Sequence, residues 1–412
     1  MSSTPESSGK AKSKSTSKKL TVAASDTAPV ETAPEPTRPN EPVMDDLRSP
    51  KDAPPSWQRF KEFVHTHRTR VILVVGLLLI APTAAWAYIE YTKPVQKVSQ
   101  DVHVPKKPAK PATVASPLTG LPVSPAVAKQ PIVGVVIENL NPDARPQSGL
   151  GQAGVVYEAL AEGGITRFLA FYLDSLPPSL GPVRSIRTYF VDWGLEFNAP
   201  IAHAGGNADA LDEIGPLGLK DINALYGGPS QYFTRSRDRV APHNLYTTGD
   251  ALTKALQADG FNTAATFAPS PRKKDEPTAT PAHPDINIDY SYSGYQVEYK
   301  YVQACNCYDR FMAGAPHVDR NDGKQIQVKN VVVEYMPTSY GTTRIGEQTV
   351  IMATPGSGQA IVFRDGGAVT GTWSKSTHNQ RTQLLDAAGK AIPLDPGNTW
   401  YSIVPTTKTV SY

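Results

Sequence analysis

The stretch VVYEALAEGGITRFLAFYL, residues 155–173, decides the reading of the fold. Val155–Leu160 is a short run rich in β-branched and apolar residues, and Ile165–Leu173 is a second, aromatic-rich run. Between them Glu162-Gly163-Gly164 supplies a turn, so the two runs read as strands of one hairpin. Upstream, Pro131–Glu138 (PIVGVVIE) reads as a buried strand that ends at the turn signal Asn139-Leu140-Asn141-Pro142. Downstream, Gly181–Arg187 is expected to open a helix running to about Phe197, with Pro182 in its first turn. Pro200–Gly206 reads as a strand ending in a glycine pair, after which Asn207 caps a helix over Ala208–Ile214. Thr247-Thr248-Gly249-Asp250 caps another over Ala251–Ala258. Strand and helix alternate, which predicts an α/β N-terminal domain over 116–268.

Residues 269–290 are rich in Pro, Lys and Thr and read as a linker or insertion. Beyond them strands are expected at 293–302, 325–335, 349–352, 359–364, 369–374 and 399–404, separated by turns such as Asn321-Asp322-Gly323. That spacing predicts a small β-rich C-terminal domain over 291–412. Its expected role is to stiffen or cover the first domain. Trp373 and Trp400 either belong to its core or offer a surface for glycan. Asp309, His317 and Asp319 form its polar cluster. The only cysteines, Cys305 and Cys307, allow a local disulfide or two free thiols; a metal site lacks the second ligand pair that spacing would require.

The run VILVVGLLLIAPTAAWAYIEY, residues 71–91, carries no charge before Glu90 and has the length of a single transmembrane helix. Arg59, Lys61, Arg68 and Arg70 precede it, whereas charge is sparse after it, so the N-terminus is expected in the cytoplasm and the rest outside. Residues 1–55 read as a disordered cytoplasmic tail and 92–115 as a Pro/Lys-rich spacer. A competing reading takes Ala85-Trp86-Ala87 as a cleavage site, against which stands the long segment before the apolar run. Either way the folded part lies outside the membrane. A formal net charge of +3 over 412 residues argues against a general nucleic-acid binder. The membrane is the one partner the sequence specifies, and it specifies no cofactor.

ARPQSGL (144–150), VYEALAEGGITRFLAFY (156–172), GPVRSIR (181–187), HAGG (203–206) and APHNLY (241–246) resemble the N-terminal domain of the YerB-like family of bacterial envelope proteins. YDRFMAGAPHVD (308–319), VVVEY (331–335), GTWSK (371–375) and PGNTWYSIVP (396–405) resemble its C-terminal domain. The family is a domain of unknown function, so the resemblance implies an envelope location and domain pairing more than an activity. Many members resemble lipoproteins held by a lipidated cysteine. This chain has no cysteine before Cys305, which predicts a helix anchor in place of a lipid.

Arginines carry the chemical reading. Arg145, Arg167, Arg184, Arg187, Arg237 and Arg239, with Asn244, are candidate ligand-binding residues, because guanidinium forks bond phosphates and carboxylates in pairs. Gly181-Pro182 at a helix start would add backbone N–H groups for an anion. The alternative is structural ion pairing with Glu138, Glu158, Glu162 and Asp192. His203 and His243 are candidate acid–base residues, and Glu158 with Glu162 a candidate carboxylate pair. No G-x-S-x-G, P-loop or H-E-x-x-H occurs. The sequence therefore predicts an envelope protein that binds an anionic cell-wall polymer, lipid-linked precursor or other envelope partner through an arginine-rich pocket. The alternative is an envelope enzyme, glycan-cleaving or of phosphotransferase type. The arrangement is similar to that of the LytR-CpsA-Psr family, whose arginines grip a pyrophosphate; the analogy is one of layout.

Overall fold

The computed structural model describes residues 60–61, 64–93 and 112–412. The N-terminal tail and residues 94–111 of the spacer lie outside the described residues. Helix α1, Arg68–Thr92, spans 25 residues, contains Pro82 and buries none of its side chains. It is long and apolar enough to cross a bilayer.

The globular unit is mostly β with few helices. Its first half supplies β1 (Val133–Glu138), β2 (Val155–Leu160), β3 (Thr166–Tyr172), α2 (Thr188–Glu196), β4 (Ile201–His203), α3 (Ala208–Leu217), β5 (Asp221–Asn223) and α4 (Gly249–Ala258). The second half supplies β6 (Asp285–Asp289), β7 (Gln296–Val302), β8 (Cys307–Met312), β9 (Asn330–Met336), β10 (Gly356–Arg364), β11 (Gly367–Lys375), β12 (Gln383–Leu385) and β13 (Thr399–Pro405). Every residue of β1, β2, β3 and β13 is buried, the pattern of strands covered on both faces. The β2–β3 hairpin closes across Glu162–Gly164 with Leu160 opposite Thr166.

The expected alternation of strand and helix in the first half becomes part of something larger. One mixed sheet of ten strands runs in the order β12-β11-β10-β9-β13-β2-β3-β1-β4-β5. Strand β13, from the end of the chain, lies between β9 and β2 and is parallel to both, with Thr399 opposite Val155. The halves of the sequence thus share a backbone hydrogen-bond ladder. A second sheet contains β6, β7 and β8 in antiparallel order.

Tyr157 of β2 joins the layers: its ring stacks on Trp193 of α2 at 4.8 Å and on Tyr401 of β13 at 4.6 Å. Such pairs add about 0.5–1.5 kcal/mol beyond the area they bury. Trp373 and Trp400 are 1% and 2% exposed, so both belong to the core and neither offers a face to glycan. Trp373 also donates its indole N–H to Tyr335 O at 2.9 Å. Cys305 and Cys307 form a disulfide.

Candidate functional site

Strands β1, β4 and β5 run parallel, so their carboxyl ends share one edge of the sheet. In sheets of this kind ligands bind beyond those ends. Glu138 closes β1 and His203 closes β4. Between them runs the segment Gly181–Arg187. It is extended where a helix was expected: Glu138 N–H donates to Pro182 O, Arg184 N–H to Val136 O, and Ile186 N–H to Gly205 O. These pairings take the backbone groups that a helix would use, so α2 starts only at Thr188. The expected helix N-terminus at Gly181-Pro182 is therefore absent. The segment instead threads two arginine side chains, Arg184 and Arg187, onto the sheet edge beside Arg167 of β3.

Two guanidiniums meet at a single carbonyl. Arg167 Nη1 donates to Ser185 O at 2.8 Å, and Arg187 Nη1 reaches the same oxygen at 3.4 Å. Arg187 also pairs with Glu162, Nε to Oε1 at 2.7 Å and Nη2 to Oε2. Burial acts to lower the Arg187 pKa, and the Glu162 bond more than offsets it. Arg184 Nε lies 3.1 Å from Glu138 Oε1. Arg167 differs from both. It is 4% exposed, its Nε has no hydrogen-bond partner, and no carboxylate pairs with it among the described residues. Burial first, and the charges of Arg187 and Arg184 after it, pull its pKa down to about 9. Arg184 and Arg187 thus each pair with a carboxylate, whereas Arg167 has none at ion-pair distance among the described residues; Glu162 and Glu347 add negative charge nearby.

The other sequence candidates have different surroundings. His243 Nδ1 sits 3.0 Å from Glu138 Oε1, the oxygen that also faces Arg184. His203 is fully buried, with Nδ1 on Gly205 O at 2.8 Å and Nε2 on Asp221 at 2.6 Å, so neither nitrogen is open to a substrate. Glu158 lies in the interior, bonded by Thr166 and Arg310, whereas Glu162 is held by Arg187; the two do not form a carboxylate pair. Arg145 donates to Asn139 and to Gly294 O at 2.9 Å, and stacks over the Tyr295 ring, clamping the two halves together. Arg239 donates to Ala144 O, Pro146 O and Tyr246 OH, and Asn244 holds the same loop through Ser236 O and Arg239 O. Arg237 is exposed, with no hydrogen bond or ion pair among the described residues.

Buried polar residues next to the site form a closed circuit. Asn139 Nδ2 donates to Thr166, Thr166 Oγ1 to Glu158, Arg310 to both Glu158 and His317, His317 to Gln147, and Gln147 Nε2 back to Asn139. The donors run consistently only if His317 is neutral with its proton on Nε2. Burial, followed by the Arg310 charge, holds its pKa well below the usual histidine range. The circuit locks Asn139 and Gln147, whose Nε2 also donates to Glu138 O at 3.1 Å, and so fixes the end of β1. His317 is thus structural, and Asp319, the other buried member of its expected cluster, caps Gly149 N and Gly151 N.

Two surface hollows lie elsewhere. One of about 420 Å³ is bordered by Asp319, Asn321 and Lys324, and one of about 620 Å³ by Glu196 and Arg381; the arginine group lines neither. Asp275, Asp365 and Asp395 bring their carboxylates together within 4.8 Å, but Lys273 and Lys329 already bond them. Glu138, which the sequence suggests only as a structural partner, is the residue that joins Arg184 to His243. Its signal was a carboxylate closing an otherwise apolar buried strand.

Comparison with known proteins follows the same division of the chain. The N-terminal domain of a protein of unknown function, DUF3048, matches residues 118–262, and the C-terminal domain of the same family matches residues 286–401. The chain is 33% identical over 295 residues to a protein of Bacillus subtilis (strain 168) named "Putative lipoprotein YerB", covering 70% of this chain and 86% of that one. The crystal structure of the YerB protein from Bacillus subtilis aligns with a TM-score of 0.64 at 31% identity, over 73% of this chain and all of the solved one.

Proposed function

The chain belongs to the DUF3048 family of unknown function, and on that premise we propose that it is a membrane-tethered envelope protein that binds an anionic ligand at the Arg167–Arg184–Arg187 group. The observation that carries the reading is Arg167: a buried guanidinium that, among the described residues, has no partner for Nε and no carboxylate at ion-pair distance, beside two further arginines. An uncompensated buried cation is costly unless something pairs with it. A bound anion supplies that pairing, and guanidinium forks bond oxyanions bidentately. The relative's name as a lipoprotein and the apolar helix α1 support a location at the membrane, with the globular unit outside.

Calorimetric titration of the full chain in detergent micelles with dimethyl phosphate, a singly charged oxyanion, tests the reading. Saturable binding is expected, weakened at least about tenfold in an Arg184→Ala, Arg187→Ala variant, since charge-assisted hydrogen bonds contribute about 1.5–3 kcal/mol each. Affinity unchanged in that variant would remove the site from these residues.

A further inference from the structure

The geometry points to His243, held by Glu138, as a general base and acid at the arginine group, making the site a phosphodiester hydrolase or transferase centre. The inference rests on the anion reading above and adds a reaction to it.

Glu138 is 1% exposed and sits at the carboxyl end of a fully buried strand. Its Oε1 faces both His243 Nδ1, at 3.0 Å, and Arg184 Nε, at 3.1 Å, while Oε2 is buried with no hydrogen-bond partner among the described residues. A carboxylate in that position fixes the ring orientation of the imidazole and keeps the Nδ1 proton in place, which leaves the Nε2 lone pair available. Nε2 of His243 makes no hydrogen bond among the described residues, and the side chain is 19% exposed. His203, by contrast, has both nitrogens engaged. A buried carboxylate behind a histidine whose outer nitrogen is open is the arrangement that activates a hydroxyl. Because Arg184 and His243 share one carboxylate oxygen, the imidazole belongs to the arginine group.

The guanidinium without an ion pair points to the substrate class. Glu138 and Glu162 offset two of the three guanidiniums. Arg167, left without an ion pair among the described residues, fits a phosphodiester, which offers two non-bridging oxygens to a guanidinium and an electrophilic phosphorus to a nucleophile. The oxygen of water or of an acceptor alcohol forms a bond to phosphorus as its proton passes to His243 Nε2. The bond from phosphorus to the leaving oxygen breaks, and that oxygen departs with the electron pair and takes the proton from the imidazolium. Nothing is oxidised or reduced, and no further reactant is needed. The arginines stabilise the charge that builds on the non-bridging oxygens, and Glu138 is a positioning residue.

The test uses the full chain in detergent micelles with bis(para-nitrophenyl) phosphate as substrate and dimethyl phosphate as a binding probe. Release of para-nitrophenolate is expected, reduced by about 10²–10⁴ in His243→Ala, the usual span for a lost acid–base group, and partly restored by added imidazole. Glu138→Gln is expected to lower kcat while tightening the binding of dimethyl phosphate, because Arg184 is freed from its carboxylate. A merely structural role would not produce those opposite changes. Wild-type chain that binds dimethyl phosphate but releases no more nitrophenolate than His243→Ala overturns the reaction and leaves the anion site standing. Absence of dimethyl phosphate binding overturns both.

Discussion

Glu158 of β2 and Arg310 of β8 form an ion pair in which both side chains are fully buried. The pair joins the two halves of the sequence, and Arg310 also lies over the Trp400 ring, 4.4 Å from its centroid. Removing one member leaves an uncompensated charge in the interior. Glu158→Ala is therefore expected to lower stability by about 3–5 kcal/mol. Urea unfolding of the wild type, the variant and a Glu158→Leu, Arg310→Met double variant measures it. The double variant should lose less than Glu158→Ala, because no charge is stranded; an equal or greater loss would mean that the pair itself, and not its completeness, is what stabilises.

Arg167 presents the opposite balance. Its guanidinium is buried without a carboxylate, and burial with the neighbouring arginines holds its pKa near 9. Arg167→Met is expected to raise the stability of the unliganded chain by about 1–4 kcal/mol. Well below pH 9 arginine is charged in both folded and unfolded chains, so the gain should not vary with pH there. The same variant should bind dimethyl phosphate at least about tenfold more weakly. A stabilised variant with full affinity would separate Arg167 from the ligand.

Glu334 on β9 is fully buried, and neither carboxylate oxygen has a hydrogen-bond partner among the described residues. Burial, and then the charge of Glu196, push its pKa from the ordinary 4.5 up to about 8. Below the lower value the group is protonated in both states and costs nothing. As pH rises from there to about 8 the unfolded chain gives up its proton while the folded chain keeps it, so stability falls by at most about 1.4 kcal/mol per pH unit. Urea midpoints for the wild type and Glu334→Gln at about pH 5 and about pH 9 test the sign. The drop between the two should be smaller in the variant by a few kcal/mol, and an unchanged drop would assign the pH dependence to other groups.

The charges flanking α1 predict its orientation in a membrane. Arg68 and Arg70 open the helix, and Glu90 with Lys93 closes it. A reporter enzyme active only outside the cytoplasm is expected to work when fused after Tyr412 and to be silent when fused near Pro54. The reverse pattern would place the arginine group in the cytoplasm and end the envelope reading.

Local sequence determined the elements. Val133–Glu138, Val155–Leu160 and Thr166–Tyr172 are strands where apolar runs between turn signals placed them, and Asn207 and Thr248 cap α3 and α4 as short polar side chains at helix starts do. The apolar run at α1 and the arginine-bearing blocks were equally legible, because each depends on residues close together in the chain. Tertiary structure decided what those residues meet. Nothing near Thr399–Pro405 announces that β13 pairs with β2, since a parallel ladder between strands so far apart in the chain is set by the whole sheet and not by a turn. Gly181–Arg187 carries a helix-start signal that the carboxyl ends of β1 and β4 override by offering backbone partners on both sides. The arginines divide for the same reason: Arg145 and Arg239 reach carbonyls that only the folded chain presents, whereas Arg167 is buried where no carboxylate follows it. Residue type specifies which groups can bond an anion; the long-range packing of β1, β3 and β4 decides which of them is left with a bond to give.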